Sequence, residues 1–192
     1  MPVTVVPYNP QWPADFLSIK TDLTTALEDI EVISIEHVGS TSVANLCAKP
    51  IIDIDVIVTR ETVPAATVAL TSKGGYTYIG ERGIPDRHAF YAPSSVRPER
   101  NLYVCVQGCT AVRNHLGVRD VLRADGALRE EYARVKTELA ERGLEVDDYV
   151  EGKSEVLQRI LEKAGMGEGE RKAIRMLNRS VEDGGVLCGV SR

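Results

Sequence analysis

An apolar run over residues 51–58 is interrupted by two carboxylates, Asp53 and Asp55. A run of this length, rich in isoleucine and valine, predicts a β-strand that is buried on both faces. Because successive side chains of a strand alternate between its faces, both aspartates point to the same side of the predicted sheet. Two neighbouring carboxylates repel each other unless a cation or a set of donors lies between them. The pattern favours a divalent-metal site over the alternative, an edge strand whose solvent face is acidic.

A turn that could bind phosphate precedes this strand. A short strand pattern over residues 31–38 ends in Gly39, Ser40 and Thr41. Glycine lets a backbone approach a phosphate closely, and the hydroxyls and free N–H groups of a helix start can bind its oxygens. Taken alone, the Gly-Ser turn is explained as well by an ordinary helix N-cap. Together with the strand carboxylates, it predicts a site for Mg²⁺ (or Mn²⁺) and the phosphates that accompany it.

Composition and charge narrow the class of protein. The chain has 192 residues, of which 43% are hydrophobic, and this suits one domain with an ordinary core. The net charge of −5 provides no global basic field, so neither a membrane surface nor a nucleic acid is an expected partner. The four cysteines match no zinc spacing and no disulfide framework. Because the sequence shows no signal peptide and no membrane span, we expect a cytoplasmic protein.

Periodicity predicts an α+β chain in which strands and helices follow each other irregularly. Helical spacing indicates helices over residues 13–29, 62–72, 110–123, 126–142, 147–163 and 170–181. Strand patterns cover residues 31–38, 51–58, 76–79, 89–92 and 102–106. The later strands follow each other without helices between them, so we expect a mixed sheet rather than an all-parallel one. The glycine-rich segment 165–169 reads as a hinge.

The strand, the Gly-Ser turn and the Asp-apolar-Asp strand together resemble the nucleotidyltransferase superfamily that includes DNA polymerase beta. This resemblance covers residues 32–58. A narrower resemblance, to the GrpB family, extends over residues 3–163. It is carried by residues 6–13 (VPYNPQWP), 35–43 (IEHVGSTSV), 48–54 (AKPIIDI), 119–123 (RDVLR), 128–139 and 149–153.

The resemblance implies an α+β fold with a nucleotidyltransferase-like mixed β-sheet flanked by helices and a C-terminal helical segment. On this basis we predict one domain over residues 1–163, followed by a C-terminal helix and tail over residues 164–192. It also implies a reaction in which a nucleoside monophosphate passes from a nucleoside triphosphate to an acceptor. The net charge suggests that this acceptor is a small molecule. Asp53 and Asp55 would hold the metal and act in catalysis, and Gly39, Ser40 and Thr41 would hold phosphates.

Basic residues supply further candidates for phosphate contact. Lys49 precedes the acidic strand, and either contacts a phosphate or is a solvated charge before a proline. Arg119 shares a helical stripe with His115 and Arg123, a spacing that suits either a phosphate clamp or ion pairs with nearby carboxylates. The family resemblance adds two more lysines, at positions 136 and 153, which by composition alone are surface residues.

One departure from the superfamily pattern leaves the reaction open. Active nucleotidyltransferases commonly add a third carboxylate from a later strand, and the corresponding segment 100–106 contains no acidic residue. Many GrpB relatives have a His-Leu-His pattern there, whereas this chain has Asn101-Leu102-Tyr103. The alternatives are a non-catalytic module that binds a nucleotide or another anion, and a kinase-like or ligase-like use of ATP at the same site.

Overall fold

The described part of the chain folds into five strands and seven α-helices, in the order that the predicted pattern requires. The computed structural model describes residues 4–143 and 145–179. The helices are α1 Trp12–Ala26, α2 Val63–Ser72, α3 Thr110–Ala124, α4 Gly126–Glu141, α5 Val146–Gly152, α6 Ser154–Lys163 and α7 Glu168–Arg179. The strands are β1 Ser34–Val38, β2 Ile52–Val58, β3 Thr77–Tyr78, β4 Arg87–Tyr91 and β5 Arg100–Val106. Short 3₁₀ turns at Ser40–Ser42 and Arg60–Thr62 follow β1 and β2.

The strands form one mixed sheet in the order β1-β2-β5-β4-β3. β2 pairs antiparallel with β1 and parallel with β5, and the remaining pairs are antiparallel. The predicted fold class, a mixed sheet flanked by helices with a helical C-terminal segment, is confirmed. β2, β5 and β4 each have neighbours on both sides, and β2 pairs with β5, so the side chains of these two strands meet in the interior of the sheet.

The two faces of β2 are buried against different helices. Its even-numbered residues Ile52, Ile54 and Val56 pack in one core with residues of α1 and α2. Its odd-numbered residues face α3, where Ile57 packs with Val112 and with side chains of β4 and β5. All seven residues of the strand are buried, which accounts for the continuous apolar pattern. The two aspartates therefore lie beneath α3 and not toward solvent, so the edge-strand alternative is wrong.

The C-terminal helices build a second layer over the α3 side of the sheet. Leu122 of α3, Tyr132 of α4 and Ile160 of α6 pack around Leu46, which follows the Gly-Ser turn. α7 docks on this layer through Ile174, which is buried against Leu161 and Met166. Within the described residues, no helix is both long and apolar enough to cross a membrane.

Two predictions about the C-terminal half need correction. The single helix predicted over 147–163 is divided at Lys153, where α5 ends and α6 begins. A Cβ on Gly152 would lie 2.5 Å from a methyl carbon of Leu139, so this glycine allows the break to sit against α4. The last helix begins at Glu168, within the predicted hinge, and is docked by Arg175, which pairs with Glu151 at 2.8 Å. The part of the predicted C-terminal helix and tail that follows residue 179 lies outside the described residues, and the boundary at 163 stays a prediction.

Candidate functional site

Gly39 brings the backbone of the turn into contact with the first aspartate. It follows Val38, which faces Asp53 in the pairing of β1 with β2. Its φ of 67° lies in the left-handed region that favours glycine. A Cβ built on Gly39 would lie 2.1 Å from Asp53 Oδ2, so no other residue fits without displacing the carboxylate. The glycine is therefore required by both the backbone conformation and the close approach.

The hydroxyls of the turn have different roles. Ser40 lines a cavity together with Gly39 and Asp53. The hydroxyl of Thr41 donates to the carbonyl of Ile51 at 3.2 Å and lies 3.0 Å from His37 Nε2, which must then be the donor to it. Thr41 is buried and does not line that cavity. Of these two predicted phosphate ligands, the structure brings Ser40 to the cavity and uses Thr41 to hold the turn.

His37 supports the turn as a neutral side chain. Its ring stacks on Phe16 with the ring centroids 4.7 Å apart. Burial is the main cause that lowers the pKa of His37 to about 4, with smaller contributions from the charges of Arg123 and Arg119. The imidazole is therefore uncharged at neutral pH and serves as a hydrogen-bond donor to Thr41.

Asp53 is almost fully buried, with 7% of its surface exposed, and lies at the cavity wall. Its Oδ1 accepts a hydrogen bond of 2.6 Å from the side-chain amide of Asn101, the residue directly opposite on β5. Burial raises the pKa of Asp53 to about 6, against the opposing effects of Asn101 and His115. The charged form is thus costly in the protein alone, and a bound cation would stabilise it.

Asp55 lies one step deeper and is fully buried, with no exposed surface. Its Oδ2 accepts a hydrogen bond of 2.8 Å from Nδ1 of His115, a buried residue of α3. Its Oδ1 has no hydrogen-bond partner among the described residues. A buried carboxylate oxygen without a donor costs free energy, and such oxygens are found where a ligand or strain compensates.

The cavity between the turn and the helical layer holds about 60 Å³. Gly39, Ser40 and Asp53 form one wall, and His115, Tyr132 and Lys153 belong to the helices opposite. At about 30 Å³ for each water in the liquid, such a volume accommodates roughly two water molecules, or a cation with one or two phosphate oxygens. A nucleoside attached to those phosphates would extend beyond it.

The two carboxylates fit a hard cation that takes part of its ligands from a substrate. Among the described residues, no group of three or more histidine, cysteine, aspartate or glutamate side chains forms a complete metal site. Asp53 and Asp55 lie on one face of β2, but only Asp53 lines the cavity; Asp55 lies beneath it, with its Oδ1 not hydrogen-bonded among the described residues. Mg²⁺ is commonly held by one or two carboxylates, waters and substrate phosphates, so two protein ligands suffice.

The two basic residues predicted to contact phosphate, Lys49 and Arg119, do not line the cavity. Lys49 does not line the cavity, but burial lowers its pKa to about 8 while the charge of Asp53 opposes the shift. Arg119 bonds to Glu36 at 2.8 Å, to Asp120 at 2.7 Å and to the carbonyl of His37. These contacts favour the ion-pair alternative for Arg119, so we leave it out of the phosphate site.

The comparisons with known proteins decide the family. The model of the GrpB protein family matches residues 2–163. The chain belongs to the GrpB family. A UPF0157 protein from Halalkalibacterium halodurans is 38% identical over 140 residues, which are 72% of this chain and 70% of that protein. The UPF0157 protein YqkA of Bacillus subtilis is 36% identical over 138 residues, 72% of this chain but 40% of YqkA.

A solved structure supports the same assignment. The crystal structure of the conserved protein GrpB from Enterococcus faecalis is similar with a TM-score of 0.72 and 29% sequence identity. The match covers 85% of this chain and all of that one. Both the sequence and the fold of this chain are therefore those of a GrpB protein.

Sequence reasoning about this GrpB protein missed three features of the site. It did not pair Asn101 with Asp53, or His115 with Asp55, because both pairs join residues far apart in the chain. It read Lys136 and Lys153 by composition as surface lysines, which is wrong, since they are 3% and 6% exposed. The family blocks that contain these lysines were the available signal.

Proposed function

We propose that this GrpB protein is a metal-dependent nucleotidyltransferase. Mg²⁺ (or Mn²⁺) would be held by Asp53 and Asp55, and the turn at Gly39 and Ser40 would hold phosphate oxygens of a nucleoside triphosphate. The observation that carries the proposal is that Asp53 and Ser40 line one cavity. Gly39, which has no side chain, lies between them and lets the turn approach the Asp53 carboxylate. A turn hydroxyl and a metal-binding carboxylate then reach the same polyphosphate.

The proposed reaction is an in-line displacement at the α-phosphorus. A nucleophilic atom of the acceptor forms a bond to this phosphorus while the bond to the β-phosphate oxygen breaks, and pyrophosphate leaves. The metal would neutralise charge that develops on the phosphate oxygens. Lys49 does not line the cavity, but its charge interacts with that of Asp53 and would add positive potential near the phosphates.

The absence of a carboxylate on β5 limits the kind of acceptor that the proposed reaction can use. An acceptor hydroxyl must lose a proton, and a carboxylate opposite Asp53 would remove it. That position holds Asn101, whose amide already donates to Asp53. An amide is not a base, so the geometry favours a small acceptor whose attacking atom carries no proton, such as a carboxylate or a phosphate.

Asn101 also favours a second candidate, a module that binds a metal–nucleotide complex without transferring it. The two candidates share the metal and phosphate contacts and differ only in product formation. A kinase-like or ligase-like reaction would give ADP or an adduct with other masses.

The test combines binding with product analysis. The protein is incubated with each of the four nucleoside triphosphates, Mg²⁺ or Mn²⁺, and a pool of small carboxylates and phosphates. Pyrophosphate release and a new nucleoside-monophosphate adduct by mass spectrometry are the expected results. Asp53→Asn should abolish both while leaving the protein folded. A thermal shift with metal and nucleotide but no pyrophosphate would favour the binding module, and unchanged activity of Asp53→Asn would overturn the metal assignment.

A further inference from the structure

Two cysteines lie in contact where β5 ends and α3 begins. Cys105 belongs to β5, packs against Val112 of α3 and is fully buried, with no exposed surface. Cys109 immediately precedes α3, is partly exposed, and packs against the same cluster of side chains as Cys105. We call Cys105 and Cys109 the cysteine pair.

A tight turn brings the two sulfurs of the cysteine pair together. The backbone N–H of Cys109 donates to the carbonyl of Val106 at 3.1 Å, which closes a four-residue turn. Gly108 has a φ of 74°, and a positive φ at the third position is typical of a type II turn. Across this turn the thiol of Cys105 donates a hydrogen bond to the sulfur of Cys109. The pair therefore meets the geometric requirement of a disulfide, which forms only where the backbone already holds two cysteines close together.

The two thiols suit different steps of an oxidation. The hydrogen bond from Cys105 is the main cause that lowers the pKa of Cys109 to about 7, and the N–H groups of Val112 and Ala111 add to it against the opposing effect of burial. Much of Cys109 is therefore thiolate at neutral pH, and the thiolate is the form that a peroxide oxidises. Burial raises the pKa of Cys105, so this residue stays a thiol and is shielded from reagents in solution.

A buried cation lies beside the cysteine pair. Arg87 is directly opposite Cys105 in the pairing of β4 with β5, and it is fully buried. Its guanidinium lies 4.6 Å from the ring centroid of Tyr103, and its positive charge favours the thiolate form of Cys105. Reactive cysteines are found in such surroundings, where positive charge lies close and one sulfur is partly exposed.

We propose that the cysteine pair is a redox-active site, which a hydroperoxide such as hydrogen peroxide oxidises to a reversible disulfide. The Cys109 sulfur attacks one peroxide oxygen, the O–O bond breaks, and the other oxygen leaves as hydroxide, which takes up a proton from water. The Cys105 sulfur then attacks the sulfenic acid on Cys109, so that an S–S bond forms and the S–O bond breaks. The oxygen leaves as water with the thiol proton of Cys105. The two sulfurs lose two electrons, and one hydrogen peroxide becomes two waters.

The experiment uses the full chain, first reduced and then treated with a small excess of hydrogen peroxide at pH 7. Remaining thiols are alkylated with iodoacetamide, and tryptic peptides are analysed by mass spectrometry. Both cysteines lie in one tryptic peptide, residues 101–113. The reduced protein should give this peptide with two alkyl groups, and the oxidised protein should give it with none and with two hydrogens fewer. Dithiothreitol should restore both alkylation sites.

Substitutions separate the roles of the two sulfurs. Cys105→Ala should stop the oxidation at the sulfenic acid of Cys109, which dimedone traps, and Cys109→Ser should leave Cys105 reduced. Cys47→Ser is the matched control, because Cys47 is also partly exposed but donates to the carbonyl of Ala133 at 3.6 Å, in another part of the fold. The disulfide of the cysteine pair should form unchanged in Cys47→Ser and in Cys188→Ser.

Three outcomes would overturn the proposal, and the first needs no substitution that could impair folding. In the first, peptide 101–113 of the wild type keeps both alkylation sites after peroxide treatment. In the second, Cys109 of the wild type accumulates as sulfenic or sulfinic acid to the same extent as in Cys105→Ala, so that Cys105 does not act as its partner. In the third, oxidation links Cys109 to another chain. Neither cysteine lines the cavity described above, so these results are independent of nucleotide transfer.

Discussion

Asn101 donates its side-chain amide to Asp53 across two parallel strands, at 2.6 Å. The bond joins the strand that carries the carboxylates to the strand from which a third carboxylate would face them. It leaves two acidic side chains, one neutral donor and no base on β5. Under the proposed function, this pair would distinguish a site that only binds metal and phosphate from one that also deprotonates an acceptor.

Asn101→Asp should make the stability of the protein depend on divalent metal. Without metal, a second carboxylate within hydrogen-bond distance of Asp53 should lower the free energy of unfolding by about 1–3 kcal/mol, because the bond is replaced by repulsion. Mg²⁺ should restore most of the loss, since three carboxylates would then share one cation. Thermal unfolding in EDTA and in Mg²⁺ measures both effects. Asn101→Leu is the control, because it loses the hydrogen bond without adding a charge, and its thermal stability should not increase with Mg²⁺. If the stability of Asn101→Asp is equally insensitive to Mg²⁺, the predicted metal site is contradicted.

Asp53→Asn should stabilise the metal-free protein near neutral pH. The pKa of Asp53 is raised from its ordinary 3.8 to about 6 in the folded state, so the folded protein binds more protons than the unfolded chain between these values. The wild type therefore loses stability as pH rises from about 4 to 6, and the variant does not. The difference should be small at pH 4 and about 2–3 kcal/mol at pH 7 in favour of Asp53→Asn.

Urea unfolding in EDTA at several pH values measures this difference. Asp86→Asn is the control of opposite sign, because the salt bridge to Arg60 lowers the pKa of Asp86. Its removal should cost stability at neutral pH and nothing well below the ordinary pKa of the group. A pH-independent effect of Asp53→Asn would show that Asp53 is not the buried, proton-binding group described above.

Gly39→Ala should destabilise the protein more than Gly108→Ala. Both glycines have positive φ, at 67° and 74°, which costs a residue with a Cβ about 1–2 kcal/mol. Gly39 combines it with a ψ of −174°, in a region that is essentially restricted to glycine. A Cβ on Gly108 meets no atom within 4 Å, whereas one on Gly39 would strike Asp53. We expect a total loss of about 3 kcal/mol or more for Gly39→Ala by chemical denaturation. Equal losses in the two variants would show that the close approach to Asp53 has no energetic weight.

His115→Leu should cost more stability than the removal of both members of its pair. The single substitution leaves the buried carboxylate of Asp55 without its donor, at a cost of about 3–5 kcal/mol. The double variant Asp55→Leu/His115→Leu replaces both groups with apolar ones and should recover a large part of that loss. A double-mutant cycle by chemical denaturation gives the coupling energy. Additive losses would mean that the 2.8 Å contact carries no coupling.

Thr41→Val and Ser40→Ala should separate the structural hydroxyl from the binding one. Thr41→Val leaves His37 and the carbonyl of Ile51 without a partner in a buried place, and should cost about 2–3 kcal/mol. Ser40→Ala removes a hydroxyl that bonds to Tyr132 at the cavity, where water can replace it as the partner of Tyr132, and should cost less than about 1 kcal/mol. Nucleotide affinity measured by thermal shift should fall in Ser40→Ala. An unchanged affinity there would remove Ser40 from the phosphate site.

Hydrophobic periodicity was sufficient to predict most of the fold. The buried strand at residues 52–58 and the helices at 110–124 and 126–141 follow directly from apolar spacing. The break at Lys153 could not be predicted this way, because α5 and α6 continue one apolar stripe and the interruption depends on contact with Leu139. Local patterns report which residues face a core, but not where two packed helices need a kink.

The site was predictable only in part, because local patterns do not show which distant residues come into contact. The alternation of Asp53 and Asp55 placed both on one face of the strand. The Gly-Ser motif predicted that a turn capable of binding phosphate lies beside them. Which side chains complete the site depends on strand pairing across 48 positions and on helix α3 crossing the sheet. The burial of Lys136 was hidden because α4 is charged on most of its surface, and one lysine that turns inward does not change the pattern.

The all-buried character of β2 has a consequence for the chain before it is folded. β5 is synthesised more than forty residues after β2, so one edge of β2 stays unpaired until the later strand arrives. Residues 51–58 would then be an exposed, β-branched segment of the kind that nucleates cross-β aggregation. Asp53 and Asp55 are its two charges, and charges within such segments act as gatekeepers. The side chains that we assign to metal binding in the native protein thus also protect the nascent chain from self-association.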